Sequence, residues 1–369
     1  MHIPIIRPVL GDEELENVRE CLASGYLTQG KFVARFEQSV ADYLTCRHAV
    51  AVTSGTAALH LALLALSIGP GDEVVVPSLT WVATANAVSY VGATPVFADV
   101  RPETFTLDPE DLARALTPRT RAVIAVHLFG LCADMDEIRR MAAERDLFVV
   151  EDAACALGSS YQGRPAGTLG HVGCFSFHPR KVITTGEGGM LTTADDGLAA
   201  ALRELRNHGC SPMPAGSPPW AMPDVPRCGY NYRLTDIQGA VGCAQMEKID
   251  AILAERARLA GVYTELLAAS PLILPAVPDD RVHSWQSYVV RFRSTAARNA
   301  AAERLAAADI ECRPGTHAAH RLRWQAAHAA RTDCCPGAAL CEDTSLALPL
   351  VHGMPREDQA RVAALLCQD

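Results

Sequence analysis

One lysine of this chain lies where a lysine that only faces water is not expected. Lys181 follows a short apolar run, Cys174–Phe177, and precedes the glycine-rich segment Thr-Thr-Gly-Glu-Gly-Gly at 184–189. The apolar run predicts a buried strand, and the small residues allow a close turn after it. This pattern predicts that the amine of Lys181 is delivered into a pocket, where it can form a covalent imine with an aldehyde.

A carboxylate at the end of another predicted strand is the second candidate. Leu147–Glu151 is an apolar run that ends in Glu151 and Asp152. Ligands of open α/β sheets bind where the parallel strands end. An aspartate there can hold a ring nitrogen in its protonated form, as the pyridinium of pyridoxal phosphate (PLP) requires. The alternative is that Asp152 only caps a helix beginning at Ala153.

A phosphate site and an aromatic plate complete the set. Gly55 and Thr56 follow a strand-like run and begin a predicted helix, whose free N–H groups and dipole can bind a phosphate. The hydroxyls of Ser54, Thr56 and Ser176 are further donors. Trp81 follows a strand end and offers a stacking face for a flat heteroaromatic ring. Taken alone, the segment around Gly55 also fits a generic capped turn, and Trp81 also fits a tryptophan of the core. Together with Lys181 and Asp152, they predict an aldehyde cofactor bound on Lys181.

The elements around these residues alternate in type from about residue 45 to 195. Short β-branched runs and alanine-rich amphipathic stretches predict βαβ units and a mainly parallel sheet. The predicted strands are Asp72–Val76, Thr94–Asp99, Ala122–Val126, Leu147–Glu151 and Cys174–Phe177, and the predicted helices are Thr56–Leu66, Trp81–Tyr90, Pro109–Leu116 and Asp134–Arg145.

The C-terminal part predicts a second, smaller α/β domain. One long helix is predicted from Leu234 to Leu259, after a proline-rich exposed loop at Ser211–Arg227. Beyond Leu272 we expect a strand and two helices, at Ser287–Phe292, Ala296–Ala308 and Arg356–Cys367. We therefore predict a large domain over 1–248, whose N-terminal segment can pack on the small domain, and a small domain over 249–369.

Composition limits the class of protein. The 369 residues carry 33 basic and 42 acidic side chains, a net charge of −9, without a basic run, which disfavours a nucleic-acid surface. The sequence has neither a signal-peptide pattern nor an apolar stretch long enough for a membrane span, so we expect a soluble, cytoplasmic protein. The 13 cysteines are scattered without zinc spacing, which predicts no metal site. Cys334, Cys335 and Cys341, the one local concentration, are predicted to be structural.

The chain resembles the DegT/DnrJ/EryC1/StrS sugar aminotransferases, within fold type I of the PLP-dependent enzymes. The resemblance spans nearly the whole chain, and its most specific motifs are Glu151-Asp152-Ala153-Ala154, Ser176-Phe177-His178 with Lys181, Gly186-Glu187-Gly188-Gly189 and Gly229-Tyr230-Asn231-Tyr232-Arg233. It implies the fold type I architecture, a large domain with a mixed, mainly parallel sheet flanked by helices and a smaller C-terminal α/β domain.

The resemblance also implies roles for the site residues. Lys181 carries PLP, which cycles through pyridoxamine phosphate, and Asp152 pairs with the pyridinium. Trp81 stacks on the ring, while Gly55, Thr56 and Ser176 hold the phosphate. The family works as a homodimer, in which the residue matching Asn231 reaches the partner's cofactor. The implied reaction moves an amino group, from glutamate, to a keto group of a nucleotide-linked deoxysugar.

Two positions depart from the family pattern. Cys155, a weak donor, stands where His or Gln often approaches the phenolic oxygen of the cofactor. In the segment 313–320, His320 is kept but Thr316 replaces a tyrosine, which leaves the substrate open. Lys181 itself argues against the family's dehydratase branch, which has histidine there.

Other functions remain open from the sequence. An aminotransferase acting on a keto-cyclitol or another small natural-product ketone uses the same residues. A PLP-dependent lyase or aromatising dehydratase on this fold is a further alternative, and so is a regulatory or binding protein that keeps the fold without turnover.

Overall fold

The computed structural model describes residues 2–214, 216–218, 220–333 and 335–368. Its strands are β1 (His48–Val52), β2 (Glu73–Pro77), β3 (Thr94–Ala98), β4 (Thr120–Val126), β5 (Phe148–Asp152), β6 (Ser160–Tyr161), β7 (Arg164–Pro165), β8 (Val172–Ser176), β9 (Gly189–Thr193), β10 (Arg281–Val282), β11 (Tyr288–Arg291) and β12 (Ser345–Leu348).

The helices are α1 (Asp12–Ser24), α2 (Lys31–Leu44), α3 (Gly55–Ala65), α4 (Ala83–Tyr90), α5 (Pro109–Ala115), α6 (Met135–Ala143), α7 (Asp196–Leu205), α8 (Asp236–Glu247), α9 (Ile249–Leu267), α10 (Thr295–Ala307), α11 (Arg323–His328), α12 (Pro336–Thr344) and α13 (Arg356–Leu366). Short 3-10 turns lie at Leu128–Gly130 and Ala319–Arg321.

A seven-stranded sheet forms the centre of the molecule, in the order β1-β9-β8-β5-β4-β2-β3. The neighbours from β8 to β3 pair in parallel, and β9 pairs antiparallel with both β1 and β8. Parallel neighbours need helical crossovers, which explains the alternation seen in the sequence. The carboxyl ends of β2, β4, β5 and β8 therefore meet at one edge, and the predicted mixed, mainly parallel α/β sheet is confirmed.

Two hydrophobic cores cover the two faces of this sheet. Val75 faces a core formed with α2, α6 and α8, whereas Val74 and Val76 face a core formed with α3, α4 and α7. Strands buried on both faces need apolar residues at consecutive positions, because successive side chains point to opposite sides. This is why the central strands appear in the sequence as unbroken apolar runs.

The C-terminal part has a third core around the antiparallel pair β11–β12, packed by α9, α10 and α13. Ile3 belongs to this core and forms a bridge with Ile310. Ile3, near the N-terminus, thus packs on the C-terminal part. The proposed boundary between residues 248 and 249 stays a prediction.

The single long helix predicted from Leu234 is wrong, since it is broken between α8 and α9. Lys248, at the break, has φ −106° and ψ 0°, and its amine bonds Glu14 at 2.8 Å. The apolar period continues across the break: Ile249 and Ile252 complete the core of the large sheet, whereas Leu259 joins the third core. The expected connection between the two parts is therefore made by α9.

Two predictions on irregular segments agree with the described residues. The described parts of the proline-rich segment 211–227 contain no helix or strand, as expected. Cys335 and Cys341 are buried, which agrees with a structural role, and Cys334 lies outside the described residues. Within the described residues, no helix combines the length and apolar character that crossing a bilayer requires.

Candidate active site

Lys181 lies in a tight turn directly after β8. Its N–H donates to the carbonyl of His178 at 2.8 Å, and Thr185 N–H closes the following loop on Phe177 O at 3.0 Å. The side chain is half-buried, and its Nζ donates to Sγ of Cys155 at 3.2 Å. The turn therefore aims the amine back toward Cys155, beyond the end of β5, and its delivery into a pocket stays a prediction.

Asp152 is the last residue of β5 and only 7% exposed. Thr84 on α4 donates to its Oδ2 at 2.7 Å, and the N–H of Ala154 donates to its Oδ1 at 3.2 Å. Residues 153 and 154 do not begin a helix, so the alternative in which Asp152 caps one is wrong. The two donors fix the orientation of the carboxylate and leave it lone pairs for a cationic partner.

Thr84 is a residue whose role the sequence did not reveal. It is 1% exposed, and its hydroxyl also lies 2.9 Å from that of Thr80. The signal was present in the spacing, because Thr80 and Thr84 are four residues apart and can meet across one helical turn. Nothing in the sequence showed that this turn faces Asp152.

Glu151, next to Asp152, points to the opposite face and has a structural role. Its fully buried carboxylate accepts from the N–H groups of Gly167, Leu169 and Gly170 at 2.6–2.7 Å. It also pairs with Nε2 of His127 at 2.8 Å. Because Nδ1 of His127 accepts from an N–H, that of Ala133 at 3.2 Å, the proton of this imidazole lies on Nε2 and is donated to Glu151.

The residues predicted to bind a phosphate lie where α3 begins. Ser54 caps the helix by accepting the N–H of Ala57 at 3.1 Å, so Gly55 and Thr56 present the first N–H groups of the helix, which have no partner inside it. A Cβ on Gly55 would lie 2.8 Å from Cβ of Ser176, the last residue of β8. The helix start is thus pressed against Ser176, and glycine is required for that approach.

Trp81 follows β2 and has 59% of its surface exposed. Its ring centre lies 5.7 Å from that of His317, and the neighbouring Thr80 N–H donates to the His317 carbonyl at 3.1 Å. His320 of the same segment contacts the hydroxyl of Ser78. The segment 313–320 therefore lies beside Trp81, and the alternative in which Trp81 fills the core is wrong.

Asn231 is exposed and stands apart from the other candidates. Its side-chain oxygen accepts from Arg233 at 3.1 Å, and its backbone forms a bridge with Asn207. The adjoining Tyr232 carbonyl accepts from Thr53 at 3.0 Å, which ties this segment to the loop after β1. The structure thus brings Lys181, Asp152, Cys155 and the start of α3 to the carboxyl edge of the sheet, whereas Asn231 is exposed.

The donor set fits PLP. A buried carboxylate suits the ring nitrogen, a lysine amine suits the aldehyde, and a helix start with glycine and serine suits the phosphate. Among the described residues, no group of His, Cys, Asp or Glu side chains is arranged to hold a metal ion.

Known proteins are similar to this chain over most of its length. The model of the DegT/DnrJ/EryC1/StrS aminotransferase family matches residues 8–367. The chain is 43% identical to GDP-perosamine synthase of Caulobacter vibrioides over 371 residues, covering 99% of this chain and 98% of that protein. It is 42% identical to the spore coat polysaccharide biosynthesis protein SpsC of Bacillus subtilis over 319 residues, covering 85% of this chain and 82% of that protein.

A solved structure matches almost completely. Spr1654 of Streptococcus pneumoniae in its PMP form has a TM-score of 0.94 at 28% identity, covering 99% of this chain and 98% of that one. Its PLP form has a TM-score of 0.93 at 29% identity, covering 100% and 98%.

Proposed function

The chain belongs to the DegT/DnrJ/EryC1/StrS aminotransferase family and is a PLP-dependent aminotransferase; from this premise we propose that it transfers an amino group, with glutamate as donor, to a keto group of a nucleotide-linked deoxysugar. The observation that carries the proposal is the meeting of Lys181, Asp152 and the Gly55–Ser176 cradle at one sheet edge. The relative named GDP-perosamine synthase supports a nucleotide-linked sugar as the acceptor class.

Each residue has a role that follows from its position. Bound PLP supplies an aldehyde and an electron-withdrawing pyridinium ring. Asp152, held by Thr84, keeps the ring nitrogen protonated through a charge-assisted hydrogen bond. The N–H groups of Gly55 and Thr56 and the Ser176 hydroxyl bind the phosphate.

Lys181 has two tasks in this scheme. Its Nζ would hold the cofactor through the aldehyde, and once free it would act as the base and acid that moves a proton between the substrate Cα and the aldehyde carbon. Trp81 covers one face of the ring and excludes water from it. The segment 313–320 beside Trp81 contributes to the choice of acceptor.

We propose further that two copies of the chain share each site. Leu15 and Leu22 on α1, followed by Tyr26, are 55–75% exposed. The bridge between Thr28 and Thr235 places this apolar surface beside the segment that carries Asn231. A second copy that covers this surface brings its own Asn231 to the neighbouring cofactor.

The proposal is tested by two half-reactions. Purified protein loaded with PLP is mixed with glutamate, and the visible absorbance of the cofactor is followed. The resulting pyridoxamine form is then offered GDP- and dTDP-linked keto-deoxysugars and, separately, keto-cyclitols. We expect the visible band to disappear with glutamate and to return only with a sugar nucleotide.

Controls separate the alternatives. Lys181→Ala must abolish both changes, while Lys248→Ala, at an amine bonded to Glu14 at the break between α8 and α9, must not. Return of the visible band with keto-cyclitols alone would show that the acceptor is a keto-cyclitol and not a nucleotide-linked sugar. Product formation without any amino donor would instead establish a lyase or dehydratase.

A further inference from the structure

Cys155 is held in a defined position next to Lys181. Its sulfur accepts from Nζ of Lys181 at 3.2 Å. Its carbonyl accepts from the hydroxyl of Ser284 at 3.1 Å, and the close approach of Gly130 leaves no room behind it, since a Cβ on that glycine would lie 3.2 Å from the Cys155 carbonyl oxygen. The backbone of Cys155 is therefore held from two sides, and its thiol faces the amine.

The position of Cys155 relative to the ring follows from the substitution pattern of PLP. The ring nitrogen, directed at Asp152, is opposite the carbon that carries the aldehyde, directed at Lys181. The phosphate arm and the phenolic oxygen are on opposite sides of that axis. Because the phosphate cradle lies at the ends of β1 and β8, the phenolic oxygen must face the β4 side of β5.

Cys155 lies on this β4 side. Gly130, which contacts it, belongs to the turn Leu128–Gly130 that follows β4. The phosphate cradle, by contrast, is formed by Gly55 after β1 and by Ser176 at the end of β8. In the sheet, β8 and β4 flank β5 on opposite sides, so the two groups are separated by the ring.

Resting on the proposed function, we propose that Cys155 is a positioning residue for the link between Lys181 and the cofactor. Its thiol lies against the phenolic oxygen and, as a weak donor, leaves the negative charge of that oxygen free to hold the proton on the linking nitrogen. A strong donor at the same position would neutralise part of that charge and release the proton at lower pH.

The other charged groups near the pair do not replace the thiol. Asp152 is committed to Thr84 and the ring nitrogen. His178 lies on the Lys181 turn, where Nδ1 accepts from the N–H of Arg180 at 3.2 Å, and burial lowers its pKa. Glu187 is in the same loop and raises the pKa of His178 in part. From the C-terminal part, the neighbour of Cys155 is the uncharged Ser284.

The test is a spectrophotometric pH titration of the bound cofactor in the holoenzyme. We compare the wild type with Cys155→Ala, Cys155→Ser and Cys155→Gln. A hydrogen bond to a charged acceptor corresponds to about 1–2 pH units, so the midpoint of the visible band in Cys155→Gln should fall by that amount. The midpoint should fall less in Cys155→Ser, and in Cys155→Ala it should be equal to or slightly above that of the wild type.

A second measurement uses the cofactor-free enzyme. Iodoacetamide labelling followed by peptide mass mapping should modify Cys155, and added PLP should protect it. Cys46 is the matched control, because this half-buried cysteine precedes β1 at the opposite edge of the sheet. Its labelling should not respond to PLP, and Cys46→Ser should leave the titration midpoint unchanged.

The outcomes separate this inference from the proposed function. Absence of a visible band in the wild type would overturn both. A wild-type band together with midpoints of all three Cys155 variants within about 0.3 pH unit would overturn the inference alone. A rise of the midpoint in Cys155→Gln, or labelling of Cys155 that PLP does not reduce, would overturn it as well.

Discussion

The hydrogen bond between Thr84 and Asp152 provides a direct test of how the ring nitrogen is held. Thr84→Val keeps the shape of the side chain and removes the hydroxyl that donates to Oδ2 of Asp152 at 2.7 Å. The carboxylate then keeps only the longer bond from Ala154, at 3.2 Å. It loses one of two restraints and can turn away from the ring nitrogen.

The size of the effect follows from the kind of bond. A hydrogen bond to a charged group is worth about 1.5–3 kcal/mol, which corresponds to about a 10- to 150-fold change in an equilibrium constant. We expect the dissociation constant of PLP to rise within this range in Thr84→Val. It is measured by titrating cofactor-free protein with PLP and following the visible band.

Thr80→Val is the matched control for this substitution. Thr80 is equally buried and its hydroxyl lies 2.9 Å from that of Thr84. Among the described hydrogen bonds, none joins the Thr80 side chain to Asp152 directly. Its effect on PLP binding should be under about threefold, less than the worth of one neutral hydrogen bond. Wild-type affinity in Thr84→Val, or equal losses in both variants, would refute the role assigned to Thr84.

Three further predictions concern assembly, the phosphate cradle and acid stability. When Lys181→Ala and Asn231→Ala proteins are mixed and their subunits exchange, about a quarter of wild-type activity should be recovered. Half of the dimers then contain one chain of each kind, and each of these has one intact site. No recovery of activity would contradict shared sites. Gly55→Ala should weaken PLP binding, measured by the visible band, because the added Cβ would lie 2.8 Å from Cβ of Ser176. Gly261→Ala on α9 is the contrasting substitution, because its Cβ meets nothing within 4 Å; it should raise the free energy of unfolding by about 0.5–1 kcal/mol. Burial lowers the pKa of His283 to about 3, so between pH 6.5 and this value only the unfolded chain binds the proton. The free energy of unfolding, measured with urea, should therefore be about 2 kcal/mol lower at pH 5 than at neutral pH, and His283→Asn should not show this decrease.

Much of the sheet could be predicted because its strands are buried on both faces. The apolar runs at Val74–Val76 and Val149–Val150 have no other explanation in a chain of ordinary composition. Their observed ends differ from the predicted ones by one or two residues. β9 was missed because its first residue, Gly189, belongs to the glycine-rich loop, and because one of its two pairing partners, β1, is far away in the chain.

The site was predictable in its residue types but not in its contacts. Lys181, Asp152 and Gly55 each follow a strand end, and topology alone brings such positions together. The sequence could not show that Thr84 faces Asp152, that Glu151 supports the Gly167–Gly170 turn, or that Trp81 is exposed. Each of these depends on how distant segments pack against one another, which the local sequence pattern does not specify.

The place of β9 between β1 and β8 has a consequence for how the molecule assembles. Among the described strands, β1 pairs in the large sheet only with β9, so residues 48–52 can join the sheet only when residues 189–193 are in place. Contacts of such long sequence separation form late, because the loop between them must close first. A nascent chain released before residue 193 therefore lacks the β1–β9 pairing next to the proposed PLP site. Added PLP can stabilise only those molecules in which this pairing has already formed.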